Sequence, residues 1–226
     1  MTQFLEASCL PAIWVIAILE LALLGFMVFR FVKTRSVITL LTACITFGLF
    51  YDALIIALGC LINPASAPFI SRMRFVSHGL LIPLLFAVCS QALDLKKPWN
   101  IVVYGLTGVL MVAGLAEAIA TKLDVVTIAG IARMASVKGE TPKWAETISS
   151  VLSFGTVIPM MIVGVICWIK QKNPFLFLAG FLMFAFSALG PATGNAQFIF
   201  YISMYGEILM VGFMLWYAIK KEKKLF

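Results

Sequence analysis

An all-α bundle crossing a bilayer seven times is the fold class the sequence predicts, and three features predict it. Of the 226 residues, 62% are hydrophobic and only 12% charged, whereas a soluble domain is nearer half apolar and a quarter charged. Seven apolar stretches are each about as long as a spanning helix, which needs roughly 20 residues to cross about 30 Å of hydrocarbon. Between them lie short connections rich in Pro, Gly, Asn and basic residues, the residues that break helices and stay in water.

The predicted spans are 9–32, 37–62, 69–92, 100–121, 146–169, 174–190 and 196–219. No basic residue precedes the first apolar run, and that run is too long for a cleavable h-region, so it is expected to be a permanent span. Lys33 to Ser36 joins the first two spans. Asn63 to Pro68 (NPASAP) joins the second and third, and Asp94 to Trp99 (DLKKPW) the third and fourth. Lys170 to Asn173 joins the fifth and sixth, and Pro191 to Asn195 (PATGN) the last two. Only the connection from about Lys122 to Ala145 is long. It reads as a surface loop, with a short interfacial helix or a lid as alternatives. Pro83 and Pro159 lie inside spans, where each frees a carbonyl and favours a kink.

The formal net charge of +7 is distributed as an orientation signal. Arg30, Lys33, Arg35, Lys96, Lys97, Lys170 and Lys172 share one side with the tail lysines 220, 221, 223 and 224. Arg72, Arg74, Lys122, Arg133, Lys138 and Lys143 fall on the other. The positive-inside rule then places the N-terminus outside and the C-terminus in the cytoplasm of a cell-membrane, multi-pass protein. This arrangement accounts for the basic residues without nucleic acid. The five cysteines form no C-x-x-C pair and read as small core or lipid-facing groups; one bridge, Cys9 to Cys60, is the sole alternative.

Ionisable residues inside spans carry the functional information, because each costs roughly 2.5–3.5 kcal/mol at the bilayer centre on insertion scales. The candidates are Glu20, Asp52, Arg74, His78, Glu117 and Glu207. From the rise per residue, Glu20, Asp52, His78 and Glu207 are each expected about 13–16 Å from the outer face. Arg74 lies one turn from His78 on the same face, and Glu117 is nearer the rim. Four spans therefore place ionisable groups in one layer, as an inward-facing polar chamber would. A clasp that only fixes helix packing is the structural alternative.

Acid–base chemistry is the activity this layer suggests. Asp52, Glu207, His78 and Arg74 are the candidate catalytic residues. Asp52 is the first choice for proton donor, with the anchor for Arg74 as its other role, since burial and a cation act on a carboxyl in opposite directions; Arg74 and His78 would tune Asp52 or hold a polar head group. Glu207 is the second acid or a cation stabiliser. Tyr51, Glu20, Glu117, Phe75, Tyr201 and Tyr205 are the candidate substrate-binding residues, the aromatic faces being suited to a cationic intermediate. Trp14, Tyr104, Trp144, Trp168, Trp216 and Tyr217 read as interfacial anchors.

Some seven-helix functions are excluded. The last span holds no lysine for a retinal Schiff base. A single histidine, His78, is too few for a membrane zinc hydrolase. Cytoplasmic connections of four to six residues leave little for a G protein to grip. No metal and no cofactor is called for. The expected partners are the lipid bilayer and an amphipathic small molecule, with the oligomeric state open.

In length, helix count and the acids of its second and last spans, Asp52 and Glu207, the chain resembles the small seven-helix membrane-bound terpene cyclases of meroterpenoid pathways. That resemblance implies protonation of an epoxide or terminal alkene of an isoprenoid by a buried acid. It does not extend to the Arg74-to-His78 element. The Tyr51-Asp52 pair and that R-x-x-x-H element are also similar to those of other seven-helix prokaryotic membrane proteins, a likeness that implies no activity. A transporter or sensor that binds a small solute or relays protons through the same layer is the competing expectation.

Overall fold

In the computed structural model, residues 2–137 and 139–222 are described. Lys138, Lys223 and Lys224, part of the orientation argument, lie outside the described residues. The elements are α1 (Thr2–Thr34), α2 (Val37–Leu58), α3 (Pro68–Leu81), α4 (Leu84–Ala92), α5 (Lys97–Ala120), β1 (Leu123–Ile128), β2 (Ile131–Ser136), α6 (Lys143–Gln171), α7 (Phe175–Ala192) and α8 (Ile199–Glu222). Among the described residues, seven helical segments are long and apolar enough to cross a membrane, with α3 and α4 together forming the third.

The third span breaks where proline predicts a kink. Pro83 stands between Leu81 and Leu84, and the helix is interrupted there into α3 and α4. Pro159 leaves α6 continuous. The first span is longer than expected, because α1 runs out beyond the apolar stretch and packs Leu5, Cys9 and Leu10 against other elements. The second is shorter: α2 stops at Leu58, so Asp52 lies about 9 Å from the helix end.

Neighbouring helices close a ring, α1 on α2, α2 on α3 and α4, α3 and α4 on α5, α5 on α6, α6 on α7, α7 on α8, and α8 back on α1. The α3–α5 contact is backbone to backbone. A Cβ on Gly114 would sit 2.3 Å from the Gly79 carbonyl oxygen, so only glycine permits this crossing. Helix α2 also touches α8 and presents Ile38, Ile45, Leu49, Asp52 and Ile56 on one buried face. Its buried threonines satisfy their hydroxyls locally: Thr42 donates to the Ile38 carbonyl and Thr46 to the Thr42 carbonyl, both at 2.8 Å. Outward faces are apolar; Ile101, Val109, Val112 and Ile119 on α5 are each more than half exposed. Water would not tolerate such a patch, whereas lipid favours it.

Two expectations are corrected. The stretch after α5 is not an irregular loop. It forms a two-stranded antiparallel hairpin in which Ile128 pairs with Ile131 across a two-residue turn. Ala129 and Gly130 both have positive φ, as primed hairpin turns require. The alternation Leu123-Asp124-Val125 and the Ala129-Gly130 turn were the available signals. Tyr217 is not an interfacial anchor: it is fully buried and donates to Gln171 Oε1 at 2.9 Å. Trp144, Trp168 and Trp216 are about half exposed, as anchors would be.

The hairpin docks on the end of the bundle. Ile131 is fully buried among Cys9, Ile13, Ala57 and Phe198, and the Ala132 amide donates to the Gly59 carbonyl at 3.1 Å. A Cβ at position 59 would fall 1.9 Å from the Ala132 carbonyl oxygen, so the approach depends on Gly59. At the opposite end, Glu222 accepts from Thr39 at 2.7 Å and pairs with Arg30.

Candidate functional site

Two apolar cores fill the bundle, and the acids lie at the seam between them. On α1, Ala17 belongs to the upper core and Met27 to the lower, with Glu20 between. On α2, Asp52 separates Leu49 below from Ala53 above, and on α8 Glu207 separates Met204 from Met210. Three helices thus bring carboxyls to one level, each almost wholly buried: Glu20 0%, Asp52 8% and Glu207 7% exposed. They are close enough for their charges to interact, Glu20 with Glu207 and Asp52, and Glu207 with Asp52 and Arg74.

Their surroundings differ. Arg74, itself 6% exposed, donates from Nε to Asp52 Oδ1 at 2.7 Å and from Nη1 to the Met134 carbonyl at 3.3 Å. Asp52 is therefore the counter-ion of Arg74, and of its two roles the geometry supports the anchor. Both oxygens of Glu20 and Oε2 of Glu207 are buried with no hydrogen-bond partner among the described residues. Polar atoms in an apolar interior are ordinarily paired, so these two carboxyls stand out.

The other expected residues fall around this centre. His78, one turn along α3 from Arg74, is only partly buried and acts electrostatically on both Asp52 and Glu117. Glu117 does not join the layer: near the end of α5 it accepts from Thr121 at 3.0 Å. Tyr51 turns to α3 and donates to the Ile70 carbonyl at 2.9 Å. Phe75 lies beside the Arg74 guanidinium, 5.6 Å from ring centroid to Cζ. Tyr201 and Tyr205 link their hydroxyls at 2.7 Å, and Tyr201 continues to Ser8 Oγ at 3.0 Å.

One residue of the site comes from the hairpin. Arg133 on β2 stacks over Phe200, 4.1 Å from the ring, and feels the charges of Asp52 and Arg74. Burial, with Arg74 adding to it, pushes its guanidinium down to about 10 from its ordinary value. As one charge among several in a loop, Arg133 carried no signal until the strand pairing aimed it at the bundle.

An apolar groove between α1 and α8 opens on the outer surface of the bundle. Leu23, Phe26, Ile208, Gly212, Phe213 and Trp216 are among the residues that line it, beginning one turn beyond Glu20 on α1 and directly after Glu207 on α8.

No protein-family model matches the chain, and no curated protein matches it.

Proposed function

We propose that this is a cell-membrane, multi-pass enzyme that uses its buried carboxyls for acid–base chemistry on a lipid or isoprenoid, in the manner of a terpene cyclase. In this reading the N-terminus and hairpin face outside. Arg30, Lys33, Arg35, Lys96, Lys97, Lys170, Lys172, Lys220 and Lys221 mark the cytoplasmic end.

The observation that carries the proposal is the contrast within one layer. Asp52 is engaged by a cation, while both oxygens of Glu20 and Oε2 of Glu207 are buried with no partner among the described residues. Carboxyls in such unlike settings divide naturally into an acid and an electrostatic partner. Glu207 holds the transferable proton. The Asp52–Arg74 pair orients the site and steadies the charge that develops on protonation. The α1–α8 groove receives the hydrocarbon chain of the substrate from the bilayer.

The test supplies the protein in nanodiscs with isoprenoid-containing membrane lipid extract and follows new masses by mass spectrometry. Wild type should form a product. Glu207→Gln should slow its formation by about 10²–10⁴-fold, the usual worth of a positioned acid, while the protein still inserts. Undiminished turnover in that variant would remove Glu207 from the mechanism.

The hydroxyl chain Ser8–Tyr201–Tyr205 favours a second reading, a proton-coupled transporter or sensor, since linked hydroxyls can pass protons. Solute uptake by proteoliposomes that follows a pH gradient, with no lipid product, would decide for it.

A further inference from the structure

Two arginines share one carboxylate beneath the hairpin. Arg74 Nε takes Asp52, and its Nη1 takes the Met134 carbonyl. Arg133 is half-buried, and its Nε is wholly buried with no hydrogen-bond partner among the described residues. Its neighbours are the Phe200 ring, which covers one face, the like charge of Arg74, the shared Asp52 and the Cys9 thiol. A guanidinium carries five donors in a planar fork that matches an oxyanion. Burying a guanidinium Nε–H beside a second cation, with nothing to accept from it, is costly unless a ligand does so.

We propose that Arg133 and Arg74 form a binding site for a phosphate-type oxyanion, held between the hairpin and the outer end of the bundle. This deepens the enzyme reading and rests on it, because it makes the substrate an anionic amphiphile whose headgroup meets Arg133 while its chain lies among the helices. The hairpin then has a reason to dock: it supplies half of the headgroup site. Phe200 holds the Arg133 plane by stacking, so the fork is set before the ligand arrives.

Binding is measured without turnover, by the rise in thermal unfolding midpoint with probe concentration. One arm uses phosphatidylcholine nanodiscs containing increasing phosphatidic acid. The other adds inorganic pyrophosphate to discs of phosphatidylcholine alone. Stabilisation by phosphatidic acid alone identifies a lipid headgroup, and stabilisation by pyrophosphate a free phosphate. Either should weaken tenfold or more in Arg133→Gln. Arg133→Lys should fall between, because it keeps the charge and loses the fork, and it decides the matter should Arg133→Gln fail to fold. Glu207→Gln should bind within about threefold of wild type, so loss of turnover there and loss of binding at Arg133 are separate results. The proposal is overturned if neither probe stabilises wild type, or if the Arg133 variants bind as tightly as wild type.

Discussion

Asp52→Asn should destabilise the folded protein by about 3–5 kcal/mol, the usual cost of leaving one member of a buried ion pair alone. Arg74 is 6% exposed, and its Nε bond to Asp52 is its only ionic contact among the described residues. Asparagine keeps the volume and one acceptor but removes the charge. Replacing both partners with apolar residues of similar size, Asp52→Leu with Arg74→Met, should recover most of that loss, because no charge is then stranded. Thermal unfolding in one detergent, run as a double-mutant cycle, reads the coupling directly. Single and double variants of equal stability would show that the pair contributes nothing to the fold. Activity separates the pair's two roles. Under the proposed mechanism the double variant, though stable, should lack turnover.

Gly59→Val should detach the hairpin while leaving the bundle intact. Even one Cβ at this position lies 1.9 Å from the Ala132 carbonyl oxygen, and the contact is backbone, which has no side chain to swing away. The branched side chain must therefore push β2 off the end of α2. Ile131 loses its buried seat, the Ala132 amide loses the Gly59 carbonyl, and Arg74 loses the Met134 carbonyl. Hydrogen exchange of the amides of residues 123–136 should accelerate by two orders of magnitude or more, while those of α2 and α8 keep their protection. Unchanged exchange in the hairpin would mean that the docking seen at Gly59 is not what holds it.

These two outcomes fall on different sides of what the chain reveals in one dimension. Composition and run length were enough for the seven helical segments, because transfer of about 20 consecutive residues into hydrocarbon is a sum over local sequence. Depth along each helix is likewise local, which is why a layer of Glu20, Asp52, His78 and Glu207 could be read from helical rise; the three carboxyls lie at the seam between the two cores, and His78 is only partly buried. Their orientation was not legible. Whether a carboxyl meets a cation or nothing depends on which helix lies opposite, and that is decided by packing. Glu117 shows the difference. Its place nearer the rim follows from helical rise, but its partner there, Thr121, comes from the turn that ends α5.

The hairpin was the least visible element. Six-residue strands bury little by themselves, and their pattern is weak beside seven long apolar runs. Sequence by itself determined the seven apolar helical segments and the level at which their acids sit, since both follow from local transfer energy and helical rise. Tertiary structure alone decided that Asp52 is bound to Arg74, that both oxygens of Glu20 and Oε2 of Glu207 have no hydrogen-bond partner among the described residues, and that Gly59 admits a strand carrying Arg133. Each of those depends on groups far apart in the chain whose meeting no local free energy specifies.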